Sequence, residues 1–136
     1  MGFFAENGST KQLQKILLVD DDVELRAGVR WQLEVCGFEV LEASHGNEAL
    51  QILSQEENPS LIVTDLDMPE MDGVEFVSFL KTDAKAKVLW GQIPVIVLSG
   101  SVDRHSEVAN HIVAFYQKPD DLKAMIDAIK LIYLAK

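Results

Sequence analysis

Leu61-Ile62-Val63-Thr64-Asp65-Leu66-Asp67-Met68-Pro69-Glu70-Met71-Asp72-Gly73 carries three structural instructions in a row. Leu61 to Thr64 is an unbroken apolar, β-branched run, the mark of a strand buried on both faces rather than one face in water. Asp65 closes the run, and Pro69 stiffens the loop that follows. Asp72 then offers a carboxylate to the start of a helix. The apolar side of that helix is written as Val74, Phe76, Val77 and Leu80.

The same syntax of strand, polar turn and helix repeats on both sides. Upstream, Ile16-Leu17-Leu18-Val19 ends at Asp20-Asp21-Asp22, and Leu25, Val29 and Leu33 mark a helix that Gly37 stops. Phe38 to Leu41 reads as the second strand. His45-Gly46-Asn47 is a turn, Ala49, Leu50 and Leu53 begin the second helix, and Asn58-Pro59 breaks it. Downstream, Val95-Ile96-Val97-Leu98 ends at Ser99-Gly100, and a weak helix follows over roughly 103–111. Val113 to Tyr116 is a short strand ending at Gln117-Lys118-Pro119, and Leu122, Met125, Ile126 and Ile129 face one side of the last helix. Five strand–helix units in alternation predict an α/β fold: a doubly wound, flavodoxin-like five-stranded parallel sheet in the order 2-1-3-4-5, with right-handed crossovers. Residues 1–14 lack periodicity and read as a tail, turning helical near Lys11 to Gln14, with 15–136 as the domain.

Composition narrows the function. The chain has 136 residues, which suits one domain. Its formal charge is −10, so phosphate backbones and anionic lipid repel it, and direct nucleic-acid or membrane binding is not expected. Cys36 is the single cysteine and no intramolecular disulfide is available. The start has neither the basic region nor the long apolar stretch of a signal peptide, so Asn7-Gly8-Ser9 reads as a turn and the expected location is cytoplasmic.

In the predicted topology the chemistry gathers past the carboxyl ends of the strands. Asp20 and Asp21, Asp65, Ser99 and Lys118 each follow a different strand. Clustered carboxylates repel one another unless a cation neutralises them, and an all-oxygen donor set suits Mg²⁺. The main-chain carbonyl of Asp67 could add a neutral ligand. A lysine and a hydroxyl beside such a cluster would complete a clamp for phosphoryl oxygens, leaving one carboxylate free to act as nucleophile toward phosphorus.

These residues resemble the receiver domain of two-component response regulators, the CheY-like family. The likeness rests on Leu18-Val19-Asp20-Asp21, on Asp65 through Gly73, on Ser99-Gly100 and on Lys118-Pro119, and it covers about residues 15–135. It implies that Asp65 is the phosphoacceptor and that Mg²⁺ is held by Asp21, Asp65 and the Asp67 carbonyl, with Asp20 acting through water. It further implies that Lys118 and Ser99 hold phosphoryl oxygens and that Ser99 and Phe115 form the switch. The face made by the fourth helix, the fifth strand and the fifth helix (α4-β5-α5 in the family's usual count) would then change shape. The implied partners are a histidine kinase or a histidine phosphotransfer protein upstream and a protein target downstream. The chain would be a stand-alone regulator or a receiver cut from a larger one, a signalling domain rather than an enzyme.

The chain departs from the family at several points. Ser99 replaces the commoner Thr, His111-Ile112 replace Gly-Ala, Asp120 replaces Phe, and Asp67 adds an acid where the family varies. Two other readings stay open. One is a phosphorylation-independent receiver-like binding module. The other is a haloacid-dehalogenase-type phosphatase, suggested by Asp65-Leu66-Asp67 although its acid pair would come late rather than first. Asp22 and Asp72 read as helix caps, Trp31 and Trp90 as packing or surface, and His45, His105 and His111 as surface residues without metal spacing.

Overall fold

The computed structural model describes residues 14–55 and 58–134. Apart from Gln14, the expected tail lies outside the described residues. The elements are β1 (Lys15–Val19), α1 (Val23–Val35), β2 (Glu39–Ala43), α2 (Gly46–Gln55), β3 (Leu61–Thr64), α3 (Gly73–Thr82), α4 (Ala84–Trp90), β4 (Val95–Ser99), a 3₁₀ turn (Val102–Arg104), α5 (His105–Val108), β5 (Ala114–Gln117) and α6 (Leu122–Leu134). The sheet is parallel, in the order β2-β1-β3-β4-β5, as the alternation predicts.

The solid apolar runs explain the layers. Successive strand residues point to opposite faces, so a run buried on both sides feeds two cores. Leu17, Val19, Ile62, Val95 and Val97 pack with Leu53 of α2, Phe76 and Leu80 of α3 and Val108 of α5. Ile16, Leu18, Val63, Ile96 and Leu98 pack with Val29 and Leu33 of α1 and with Met125 and Ile129 of α6. Each fully buried side chain of this size contributes about 1.5–3 kcal/mol through removal from water.

Helix ends follow local chemistry. Asp22 caps α1 by accepting the Leu25 amide, and Gly37 ends it at φ +102°, a left-handed backbone that suits glycine. Asp72 and Glu75 form a reciprocal capping box at α3.

The structure differs from the sequence reading most at three places, and β5 also runs one residue later than expected, leaving Val113 outside it. Between β3 and β4 the periodicity predicts one helix, but there are two. Asp83 turns extended after α3 and caps α4 by accepting the Lys85 and Ala86 amides. Lys81 Nζ holds the far end through the carbonyls of Gly91 and Ile93, both at 2.8 Å. The helix expected over 103–111 shrinks to α5 behind its 3₁₀ turn. Finally, β2 runs two residues past Leu41, because Glu42 satisfies its charge on Arg26 and Arg30 of α1.

Candidate functional site

Hydrogen bonds that continue the ladders fix the functional residues one step beyond their strands. The Asp20 amide donates to the Ala43 carbonyl (3.0 Å), that of Asp65 to Val19 (2.9 Å) and that of Lys118 to Ser99 (3.0 Å). The residues after β1, β3 and β5 are thereby held by the neighbouring strand before any side chain is considered. The Lys118–Pro119 peptide is cis.

Their side chains meet. Lys118 Nζ stands 2.8 Å from Asp20 Oδ2 and 3.0 Å from Asp65 Oδ2. The other oxygen of each acid has a main-chain donor: Asp20 Oδ1 accepts the Asp22 amide at 2.9 Å, and Asp65 Oδ1 accepts the Leu66 amide at 2.7 Å. Asp20 and Asp65 are 3% and 5% exposed, so these carboxylates are held almost out of water. Asp21 is exposed and brings the third carboxylate, and all three offer oxygens within 4.8 Å of one another.

Two carboxylates at that spacing repel by about 1 kcal/mol in water and roughly 3–4 kcal/mol at an effective dielectric of 20. The Lys118 ammonium contacts Asp20 and Asp65, so the three acids carry more negative charge than it offsets. Burial pushes the Asp20 carboxyl above the usual carboxylate range, against the opposing pull of Lys118 and the Asp22 amide. Burial alone would lower Lys118, but hydrogen bonds and charges from Asp20 and Asp65 hold it above the ordinary lysine range. A cluster with this surplus of negative charge and an all-oxygen donor set fits a hard divalent cation reached from the solvent side at Asp21.

Gly73 explains why the loop after Asp65 ends as it does. A Cβ there would lie 2.0 Å from the Asp65 carbonyl oxygen and 2.7 Å from Leu66 Cα. The start of α3 rests on the backbone of the nucleophile candidate, joined by the Gly73 amide to the Leu66 carbonyl at 2.8 Å. Within the loop, Glu70 adopts φ +62°.

The remaining predicted residues are placed differently. Ser99 is completely buried at the end of β4, its hydroxyl accepting the Ser101 amide at 3.0 Å. The Asp67 carboxylate is outside the three-acid cluster and is engaged by the Ser101 hydroxyl and by Arg104 at 2.9 Å. Those contacts hold it below the usual carboxylate range, the Ser101 hydrogen bond first and Arg104 next. Phe115 lies on β5, partly buried, with the His105 ring stacked on it at 4.5 Å and 25°. His105 is thus exposed but not without a partner, and His45 stands 3.6 Å from Glu70.

Sequence reasoning missed Ser101, Arg104 and Arg26, whose guanidinium donates to the Asp20 carbonyl. None belongs to a spaced motif. Ser101 and Arg104 meet Asp67 across loops distant in sequence, whereas Arg26 reaches back from α1 to a main-chain carbonyl.

Comparison with known proteins bears on this arrangement. The sequence model of the response regulator receiver domain matches residues 16–130. Chemotaxis protein CheY1 of Helicobacter pylori is 36% identical over 86 residues, which is 62% of this chain and 66% of that protein. The probable transcriptional regulator ycf27 of Porphyra purpurea is 34% identical over 110 residues, 81% of this chain but only 40% of that protein. This chain therefore spans about two-fifths of the length of such regulators. Among solved structures, the CheY-like receiver domain protein of Methanospirillum hungatei JF-1 superposes with a TM-score of 0.74 at 28% identity, covering 88% of this chain and 92% of that one. The phosphorylated cyanobacterial phytochrome response regulator RcpA gives 0.72 at 29% identity, covering 91% and 96%.

Proposed function

The chain belongs to the response regulator receiver domain family of two-component systems, and on that premise we propose that it accepts a phosphoryl group on Asp65 and signals by a change of surface. Lys118, bridging two buried acids at 2.8 and 3.0 Å, is the observation that carries this reading. An ammonium pressed against a nearly dry carboxylate is placed to follow the charge when that carboxylate becomes an acyl phosphate.

The donor is a phosphohistidine on a kinase or phosphotransfer protein. A carboxylate oxygen of Asp65 attacks phosphorus, the O–P bond forms, and the N–P bond to the donor imidazole breaks. Lys118 moves from partnering two carboxylates to holding a phosphoryl oxygen. Ser99 donates its hydroxyl to another. Hydrolysis returns the Asp65 carboxylate and releases inorganic phosphate.

Asp21, Asp65 and the main-chain carbonyl of Asp67 would hold Mg²⁺, with Asp20 acting through water. The ion supplies positive charge against which phosphoryl oxygens can gather. As Ser99 moves toward the phosphoryl group, Phe115 fills the space it leaves, and the surface of α5, β5 and α6 becomes the one read by a protein target. Asp67, named as a ligand through its carbonyl, has its carboxylate committed elsewhere. The reading is of a signalling domain whose chemistry is limited to its own modification.

The test is labelling with acetyl phosphate and Mg²⁺, followed by intact mass. The chain should gain one phosphoryl group, and Asp65→Asn should gain none. Persistent labelling of that variant would remove Asp65 from its role. Many turnovers of a phosphate ester would instead favour the phosphatase reading, and a target bound equally well with and without phosphate would favour the phosphorylation-independent one.

A further inference from the structure

Arg104 ties the segment after β4 to the loop after β3. Its guanidinium reaches Asp67 at 2.9 Å and Asp72 at 3.2 Å, acids that stand near the two ends of the loop leading from Asp65 to α3, and Glu107 at 3.3 Å in its own element. A second tie lies alongside, from the Ser101 hydroxyl to the Asp67 carboxylate. The Ser101 amide in turn donates to the Ser99 hydroxyl at 3.0 Å. A continuous polar path therefore runs from Ser99 through Ser101 and Asp67 to Arg104. The next residue, His105, stacks on Phe115. One short segment, Ser99 to His105, thus touches both switch residues and is fastened at its middle to the phosphoacceptor loop.

These bonds coexist with a free Asp65 carboxylate held by Lys118 at 3.0 Å. Movement of the Ser99 hydroxyl toward Asp65 loosens its bond to the Ser101 amide, and the segment can follow only if the ties on Asp67 and Asp72 yield. We infer that Arg104, with Ser101, is a brake: its ion pairs with Asp67 and Asp72 hold α5 and its 3₁₀ turn in the resting position and oppose activation. This rests on the phosphoacceptor reading of Asp65. Arg104 touches neither the three-acid cluster nor a reacting atom, so it acts by holding a conformation, and its loss favours the alternative state by whatever the ties contribute to the resting one.

The experiment compares the unaltered chain with Arg104→Gln and Asp67→Asn. Beryllofluoride serves as the phosphoryl mimic in saturating Mg²⁺, with affinity read by calorimetry and amide exchange over residues 100–108 read by mass spectrometry. Both variants should bind beryllofluoride more tightly, by about fivefold at the low end of ordinary allosteric coupling. Both should exchange faster over that segment when free, and the double variant should gain less than the sum, because the two side chains share one contact. Equal or weaker beryllofluoride binding alongside a normal response of the unaltered chain would overturn the brake and leave the phosphoacceptor reading intact. Unchanged exchange in both variants would overturn it as well. Failure of the unaltered chain to bind beryllofluoride would overturn the reading of Asp65 and the brake with it.

Discussion

Gly73→Ala adds a single methyl group, yet the structure leaves it nowhere to go. The new carbon would lie 2.0 Å from the Asp65 carbonyl oxygen and 2.7 Å from Leu66 Cα. Close carbon–oxygen contacts are found at about 3.3 Å, so a gap of more than ~1 Å must open. Both obstacles are backbone atoms, and neither can swing aside like a side-chain tip. Relief requires moving the start of α3, which strains the 2.8 Å bond from Gly73 to Leu66 and the Asp72–Glu75 capping box, or moving Asp65 itself. Overpacking costs typically 1–3 kcal/mol, and a rigid obstacle puts this case near ~3 kcal/mol. For a domain of this size that lowers the melting temperature by about 10 °C. Thermal unfolding by circular dichroism is the assay, with acetyl phosphate labelling beside it, which should slow at least tenfold as the carboxylate shifts. Gly28→Ala is the control. It lies inside α1 with nothing within 4 Å of its would-be Cβ, and it should stabilise by about 0.5–1 kcal/mol. A Gly73→Ala protein that melts within about 2 °C of the parent and labels normally would refute the claim that Asp65 is positioned by backbone contact with α3.

Lys118→Met should destabilise the metal-free protein by about 2–3 kcal/mol, below the usual range for breaking a buried pair because the lysine keeps some contact with water. Saturating Mg²⁺ should recover most of that loss, and denaturant melts with chelator or Mg²⁺ that show no recovery would count against a cation site among these acids. For pH, Asp67 and Glu48 both sit below their usual ranges, Asp67 through Ser101 and then Arg104, and Glu48 through the Ser44 amide and hydroxyl. Each contributes stability that is complete above its unfolded value and is lost as pH falls through the lower folded one. The melting-temperature gap between the parent and Asp67→Asn should therefore narrow as pH is taken from about 7 toward 3, below the ordinary carboxylate values. A gap that stays constant would show that Asp67 gains nothing from its partners.

Physical reasons separate what could be read from sequence from what could not. β1, β3 and β4 were legible because strands covered on both faces must be apolar throughout; Asp20 and Asp65 stood out because each follows such a run, Ser99 because it closes one, and Lys118 because it stands before Pro119 after the shorter, half-buried β5. β2 was blurred. Phe38 is apolar but lies outside the ladder, packing edge-on against Tyr133 at 6.1 Å, whereas Glu42 is charged yet lies inside it, satisfied by two arginines. α4 escaped because its signal, Asp83 as a cap followed by Ala84-Lys85-Ala86-Lys87, continues the helical composition of α3 without a glycine or proline between them. The Arg104 ties escaped for a different reason. An arginine in a weakly patterned segment gives no hint of partners more than thirty residues away, since that contact exists only after β3 and β4 have paired.

The most direct measurement is to locate the modification. Acetyl phosphate with Mg²⁺, followed by borohydride reduction, converts an aspartyl phosphate to homoserine, which peptide mass mapping assigns to one position. Homoserine at residue 65, absent when a chelator is present, is the predicted result. Homoserine at Asp20, Asp21 or Asp67, or at none of them with Mg²⁺ bound, would contradict it.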